Sequence, residues 1–330
     1  MPFPYYAGDS QNKAVQDPSG LPTLRGFAKE AVSGYRPEPG LVDAVNVALM
    51  LGQPLLVTGE PGTGKTQLAH SIAWELNLGS PLVFETKSTS VARDLLYTYD
   101  TLSRFHAAQT QQGSQRNLDY ITYNALGLAI LRTRKRRAVE RLIPNNLQFG
   151  NKRCRSVVLI DEIDKAPRDF PNDLLNEIEH LYFRVPELEN VEIRAARSLR
   201  PVVVITSNSE KHLPDAFLRR CTYYNISFPT PDRLMEIVLG RLRSVADKES
   251  SWLSDAIGFF LKLREDASDL EKKPATAELL EWLRYLHERG AGKGKPFRQD
   301  RELLEASLGT LRKSKNDQSK AKDLLQHWLS

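Results

Sequence analysis

Hydrophobic and polar positions along the chain predict a repeated pattern of strand and helix. Short apolar runs, typical of strands buried on both faces of a parallel sheet, are followed by segments with apolar residues at helical spacing. Five strands are predicted in this way, at residues 54–58, 81–85, 156–160, 201–206 and 222–228. The pattern therefore predicts an α/β protein, in which a parallel five-stranded sheet lies between layers of helices.

The pattern departs from this alternation in other parts of the chain. Residues 88–150 carry no strong strand signal and predict a helical insertion, whereas two short extended segments within 183–194 predict a hairpin. Residues 1–20 are polar and predict a loosely held arm, and a short helix is predicted over 24–32. After Pro229 the pattern is almost wholly helical. We expect an arm (1–20), an α/β core (21–229) and a helical C-terminal domain (230–330).

The turn after the first predicted strand carries the most specific chemical signal in the chain. Residues 59–66 read Gly-Glu-Pro-Gly-Thr-Gly-Lys-Thr and fit the phosphate-loop pattern G-x-x-x-x-G-K-[ST]. In such a loop, backbone N–H groups and a helix N-terminus face a polyphosphate, the lysine reaches its β- and γ-phosphates, and the hydroxyl ligates Mg²⁺. A chance match in a glycine-rich turn is the alternative, which the flanking strand and helix disfavour. The predicted nucleotide-binding residues are Gly59, Glu60, Pro61, Gly62, Thr63, Gly64, Lys65, Thr66 and Gln67.

A second signal lies at the end of the third predicted strand, where four apolar residues run into Asp161 and Glu162. This is the Walker B arrangement. It predicts that Asp161 holds Mg²⁺, directly or through water, and that Glu162 orients and deprotonates the attacking water. A strand that merely ends in two acids is the alternative, but the upstream phosphate loop favours a hydrolytic site.

Composition narrows the setting of the protein but not its activity. The chain has 330 residues, of which 41% are hydrophobic and 26% are charged, as is ordinary for a soluble globular protein. No apolar run approaches the roughly 20 residues that a membrane span needs. The first residues lack the basic and apolar regions of a signal peptide, and two cysteines cannot make a disulfide framework, so we expect a cytoplasmic protein. The net charge of +5 permits an acidic partner without requiring one.

Together these motifs resemble the AAA+ ATPases and, within them, the MoxR-like group. The closer resemblance is carried by residues 45–49 leading to the phosphate loop, by 92–100, and by Leu-Ile-Asp-Glu-Ile-Asp-Lys-Ala-Pro at 159–167. The insertion and the 183–194 hairpin fit the helix-2 insertion and pre-sensor hairpin of that branch. The resemblance implies that ATP and Mg²⁺ bind between the α/β core and a helical lid.

The resemblance also implies roles for residues that follow the later strands. Asn208 stands at the sensor 1 position, although asparagine is also common in turns. The segment 213–221 is similar to the arginine-finger segment, with Arg220 as first candidate and Arg219 as second. A basic helix end is the alternative there. No arginine stands at the usual sensor 2 position before the lid helix predicted within 271–282; Lys273 is the candidate substitute, or the role is absent.

For function, the resemblance implies a homo-oligomeric ring, a hexamer, that acts as a chaperone or remodelling ATPase on a protein client. A von Willebrand factor A-domain partner and a role in a multi-component bacterial system fall under this expectation. The alternative is a nucleic-acid-stimulated motor or initiator, whose pore would be lined by the basic run 132–137 or by the hairpin; a non-hydrolysing nucleotide switch is a third possibility. The basic run has Glu140 nearby and lacks interleaved aromatics, which favours a solvated or partner-facing helix. The basic residues 313–322 predict a loop between terminal helices.

Overall fold

The computed structural model describes residues 35–329 except 112, 212, 243–250, 266, 267, 293 and 294. The predicted arm over 1–20 and the predicted helix over 24–32 lie outside the described residues. The described strands are β1 (Leu55–Gly59), β2 (Leu82–Glu85), β3 (Tyr97–Tyr99), β4 (Ile121–Tyr123), β5 (Val157–Asp161), β6 (Tyr182–Val185), β7 (Val191–Arg194), β8 (Val202–Thr206) and β9 (Thr222–Ile226). The described α-helices are α1 (Pro39–Leu51), α2 (Lys65–Glu75), α3 (Thr101–Thr110), α4 (Ala125–Arg132), α5 (Arg136–Val139), α6 (Phe170–Asp173), α7 (Leu175–His180), α8 (Asp215–Leu218), α9 (Pro231–Arg241), α10 (Ser251–Arg264), α11 (Thr276–Glu288), α12 (Arg301–Ser307) and α13 (Asn316–Leu329).

The central sheet has five parallel strands in the order β2-β5-β8-β1-β9. The prediction of a parallel five-stranded sheet flanked by helices is confirmed. In a parallel sheet all carboxyl ends meet at one edge, and ligands bind there. The order places β8 between β1 and β5, so the loop after β1 and the acids at the end of β5 lie at this edge with one strand between them.

Alternate strand residues face opposite sides of the sheet, and each side has its own core. Leu55 and Val57 of β1 pack with α1 and α2. Leu56, between them, belongs to the core on the other face, which includes α4, the insertion and the 182–194 hairpin. Burial of each such side chain contributes about 1.5–3 kcal/mol to the stability of the fold. Because alternate residues of each strand face opposite sides, the apolar strand residues stabilise the helical layers on both faces of the sheet.

The insertion is not wholly helical, and the prediction of helical material alone over 88–150 was wrong. β3 and β4 form an antiparallel pair in which Tyr97 lies opposite Tyr123. Each strand has only three residues, which is too short for alternation to be detected in a sequence window. α4 also differs from the expectation, because Leu126 and Ile130 pack with Val158 of β5. It therefore belongs to the helical layer that covers the sheet.

The base of the insertion lies directly on α4. Asn124 N–H donates to Leu96 O at 2.9 Å, and Asn124 Nδ2 donates to Asp94 O at 2.6 Å. A Cβ atom at Gly127 would stand 1.9 Å from Leu96 O, which no side chain can do. Only glycine therefore allows the two backbones to approach this closely.

The insertion also packs on the hairpin of β6 and β7, which forms where the sequence predicts one. The Tyr97 ring stacks on Phe183 with centroids 6.1 Å apart, and Tyr97 Oη donates to Glu187 Oε2 at 2.9 Å. Tyr123 meets the same phenylalanine ring edge-on at 6.2 Å. The insertion and the hairpin therefore form one packed surface on this side of the sheet.

Residues after the central sheet fold around a separate apolar core. Its centre is Trp282, which is fully buried and donates from Nε1 to Ser307 Oγ at 2.8 Å. The predicted loop over 313–322 was wrong from residue 316 onward, since α13 begins there. Buried Asp317 accepts N–H groups of Glu271 and Lys272 at 2.8 and 3.3 Å and fixes the start of that helix. Among the described helices, none is long and apolar enough to cross a membrane.

Candidate nucleotide site

The loop between β1 and α2 has the backbone that a phosphate cradle requires. Its three glycines, Gly59, Gly62 and Gly64, have φ angles of 147°, 77° and 92°, all in the region that favours glycine. A Cβ at Gly62 would stand 2.7 Å from Cβ of Ala275, just before α11. The start of the lid helix therefore touches the phosphate loop.

Lys65 is buried under this loop, with 6% of its surface exposed. Its ammonium donates to Gly59 O, Glu60 O and Asn208 Oδ1 at 2.8, 3.0 and 3.0 Å. Burial lowers the pKa of Lys65, and the carboxylates of Asp164 and Asp161 act in the opposite direction. The structure thus brings together Lys65 and Asn208, which were predicted separately from two distant strands.

Asn208 is itself held by a residue that the sequence interpretation passed over. Its backbone N–H and Nδ2 donate to the two carboxylate oxygens of Asp164 at 3.2 and 3.1 Å. Asp164 lies two residues after Glu162, so the Walker B segment positions the amide at the end of β8. The sequence did carry a signal for Asp164, because it is the third acidic residue within four positions at the end of β5.

Thr66 and Asp161 meet across the sheet edge. Thr66 Oγ1 lies 3.0 and 3.2 Å from the two oxygens of the Asp161 carboxylate. Mg²⁺ takes oxygen ligands and keeps several waters, so one hydroxyl and one carboxylate suffice beside a nucleotide. These two residues therefore fit a Mg²⁺ site. Thr206 Oγ1 donates to the same carboxylate at 2.6 Å and orients it.

Glu162 has an unusual backbone for a side chain of its size, with φ 54° and ψ 54°. Left-handed conformations of non-glycine residues persist where the surroundings enforce them, and they cluster at functional sites. Here the Glu162 N–H donates to Thr206 Oγ1 at 2.8 Å. The carboxylate is 41% exposed and pairs with Lys165. The carboxylate is thus partly open to solvent and engaged by Lys165.

Arg219 and Arg220 lie outside this constellation. Both are exposed at the end of α8. Arg220 donates to Glu179 Oε2 at 3.0 Å and to Ala216 O at 2.9 Å, whereas the Arg219 guanidinium has no partner among the residues that the structure describes. Neither guanidinium contacts the phosphate loop of its own chain.

Arg264, at the end of α10, contacts the phosphate loop. The sequence analysis did not predict this contact. Its guanidinium donates to Glu60 Oε2 and Pro274 O, both at 2.6 Å, and its Cζ lies 3.4 Å from the centre of the Phe228 ring. The side chain is only 10% exposed. Arg264 therefore joins the phosphate loop, the segment after β9 and the approach to α11. Lys273, the predicted sensor 2 substitute, lies in that approach.

We expect Arg264→Gln and Glu60→Gln to destabilise the fold non-additively. A double-mutant cycle, measured by urea unfolding of the four proteins, should give a coupling free energy of about 1 kcal/mol, because one partner is nearly buried. The matched control is Lys262–Glu265 at the end of the same helix, where the two side chains are 41% and 50% exposed. Its coupling should stay below about 0.5 kcal/mol. Additive effects in the Arg264–Glu60 cycle would show that the contact does not hold the lid to the loop.

Comparison with known proteins assigns the family. Residues 55–229, more than half of the chain, match the ATPase family associated with various cellular activities (AAA), and the chain belongs to that family. No curated protein matches it. Among solved structures, a point mutant of Thermotoga maritima RuvB matches with a TM-score of 0.43 and 18% identity, over 87% of this chain and 68% of that one. The family assignment rests on the sequence match.

Proposed function

We propose that the chain hydrolyses ATP with Mg²⁺ at the edge of the sheet where Lys65, Thr66 and Asp161 meet. The observation that carries this proposal is the pair of contacts that join the loop after β1 to the strand ends, Lys65 to Asn208 and Thr66 to Asp161. Mg²⁺ held by Thr66 and Asp161 would neutralise charge on the β- and γ-phosphates. The chain then supplies the remaining groups.

Three side chains of the site would act on the γ-phosphate and the water. Lys65 binds the phosphate and can transfer its hydrogen bond from Asn208 to a phosphate oxygen. Asn208, held by Asp164, orients the water at the γ-phosphate. Glu162 accepts the proton of that water once its carboxylate leaves Lys165. The pairing of Glu162 with Lys165 would keep the base engaged with the ammonium until the nucleotide is in place.

A second part of the proposal concerns assembly. Arg219 and Arg220 are exposed and touch no phosphate-loop residue of their own chain, which leaves them available to the nucleotide site of a neighbouring copy. We therefore propose a ring, a hexamer, in which Arg220 of one subunit reaches the nucleotide of the next. A guanidinium suits this task because its charge is permanent and its fork matches phosphate oxygens.

Arg220→Ala should keep ATP binding and lower kcat by about 10²-fold or more, as for loss of one transition-state donor. Mixing this variant with Glu162→Gln subunits should restore part of the rate, because some interfaces then pair an intact base with an intact arginine. Arg219→Ala is the matched comparison on the neighbouring residue. Loss of activity in Arg219→Ala alone, with Arg220→Ala unaffected, would reverse the assignment.

The third part of the proposal concerns the biological role, which we propose to be that of a MoxR-like remodelling ATPase. The insertion and the hairpin share one packed surface, through Tyr97, Tyr123 and Phe183, and nucleotide-driven lid movement would displace that surface against a protein client. We propose a cytoplasmic remodelling ATPase with a von Willebrand factor A-domain partner. The basic run 132–137 gives no support to a nucleic-acid motor, since it lacks aromatics and Arg136 binds Phe149 O at 2.5 Å.

ATP hydrolysis by the purified chain, measured across protein concentration with and without single-stranded and duplex nucleic acid, tests the proposal. A rate per subunit that rises with concentration and ignores nucleic acid supports a ring that acts on protein. Strong, salt-sensitive stimulation by nucleic acid would replace this role with that of a nucleic-acid motor. A full rate per subunit at concentrations where light scattering shows only monomer would contradict the shared active site.

A further inference from the structure

The basic residues near the C-terminus divide into two sets by what they contact. Lys313 and Lys320 bind carboxylates of the lid itself: Lys313 Nζ lies 3.5 Å from Glu278 Oε1, and Lys320 Nζ lies 2.7 Å from Asp269 Oδ2. Lys315 and Lys322, in contrast, have no side-chain partner among the residues that the structure describes. The first set stabilises the lid, and the second is left available.

The second set surrounds a cavity of about 560 Å³ between the end of α12 and α13. Arg312, Lys315 and Lys322 line this basic cavity, with Leu308 as a buried apolar floor. Within the described part of the chain, the Arg312 guanidinium makes one hydrogen bond, from a terminal nitrogen to Gln318 O at 3.3 Å. Its remaining N–H groups can therefore serve a ligand.

Only one acid lines the basic cavity, and it is already engaged. Glu305 Oε1 accepts from Arg301 Nε at 3.1 Å. The basic cavity is thus lined by three cationic side chains and one carboxylate, and Arg301 already pairs with that carboxylate. The start of α13 is fixed from the buried side by Asp317, so Lys322 on the helix and Lys315 directly before it are presented from an anchored segment.

We propose that the basic cavity is a docking site for an acidic segment of a protein partner. Aspartate or glutamate side chains would pair with Lys315 and Lys322, and a carboxylate could take the free fork of Arg312 in a bidentate contact. The Leu308 floor would accept the aliphatic part of the same segment. The proposal does not depend on the ATPase reaction.

The lining favours acidic protein over nucleic acid. Proteins that grip single strands combine a long charged groove with aromatic platforms on which bases stack. The basic cavity is a local concavity, and none of its lining residues is aromatic. Its volume lies within the range of pockets that enclose a small group of atoms, such as a few acidic side chains.

A short fluorescein-labelled poly-glutamate peptide is the probe, titrated against the full chain with the nucleotide site saturated by a non-hydrolysable ATP analogue. The double variant Lys315→Glu/Lys322→Glu should weaken binding of the peptide by about tenfold or more, because opposed like charges are strongly unfavourable. The control, Lys152→Glu/Lys295→Glu, makes the same change of net charge at two exposed lysines elsewhere and should leave the affinity unchanged. A poly-glutamine peptide should not bind.

Two results would overturn the proposal. One is equal loss of affinity in the double variant and in the control, which would show that only net charge matters. The other is tighter binding of an oligonucleotide of matching charge, lost in the same double variant, which would assign the cavity to nucleic acid. The basal ATPase rate should be unchanged in Lys315→Glu/Lys322→Glu, so failure of this site is distinguishable from failure of the proposed ATPase.

Discussion

Glu162→Gln should retain ATP binding and lower kcat by about 10²–10⁴-fold, the range for loss of a general base. The amide has nearly the same shape as the carboxylate, and the Glu162 N–H bond to Thr206 Oγ1 involves only the backbone, so the local conformation should persist. What is lost is the capacity to accept a proton. Single-turnover hydrolysis and nucleotide binding, measured on the same preparation, separate the two effects.

This variant should also accumulate the ATP-bound assembly, because binding continues while turnover stops. Size-exclusion chromatography with ATP should therefore show more of the large species than for the unaltered protein. Asp255→Asn, which removes a carboxylate from the exposed face of α10, is the matched control and should hydrolyse ATP normally. Full activity in Glu162→Gln would remove Glu162 from the catalytic site.

Lys65→Ala should weaken ATP binding by about 100-fold or more, because two charge-assisted hydrogen bonds to phosphate are lost together. The variant should also loosen the loop itself. Lys65 holds the carbonyls of Gly59 and Glu60, and without it the Gly59 carbonyl and the Asn208 amide oxygen lose its hydrogen bond, whereas Glu60 O keeps the one from Thr63 Oγ1. The thermal midpoint should fall even in the absence of nucleotide.

Titration with a fluorescent ATP analogue measures the first effect and calorimetry the second. Lys65→Arg is the informative comparison. Arginine keeps the charge, but its guanidinium is larger and planar. It cannot direct three N–H groups from a single nitrogen to the three acceptors that surround the lysine ammonium. We expect it to bind ATP nearly as poorly as Lys65→Ala. If Lys65→Ala binds ATP with undiminished affinity, the loop is not the phosphate site.

The sequence predicts the parts of this site that depend on local pattern. The phosphate loop, the acids after β5 and Asn208 after β8 each follow a buried apolar run, and parallel strands bring such ends to one edge. Thr206 could have been found by the same reasoning, since it ends β8 beside Asp161. It was passed over because a threonine that ends an apolar strand is also an ordinary strand residue.

Other features could not be predicted because they depend on contacts between distant segments. Arg264 has no local signal, since a basic residue in the last turn of a helix is common and its partner Glu60 is far away in the sequence. β3 and β4 are too short for alternation, and they are stabilised by packing on the hairpin. α13 was hidden by its polar surface, since Ala321 and Leu325 are its fully buried apolar residues and Leu324 and Trp328 are only partly buried against the same core.

The contact between Gly127 and Leu96 has a mechanical consequence. Because the two backbones touch with no side chain between them, there is no compressible layer at the base of the insertion. The base of the insertion is therefore joined to α4 through backbone alone, and we expect a shift of α4 on the sheet to carry Leu96 with it. A side chain at position 127 would have to push the two backbones apart, so this glycine sets how closely the insertion follows α4.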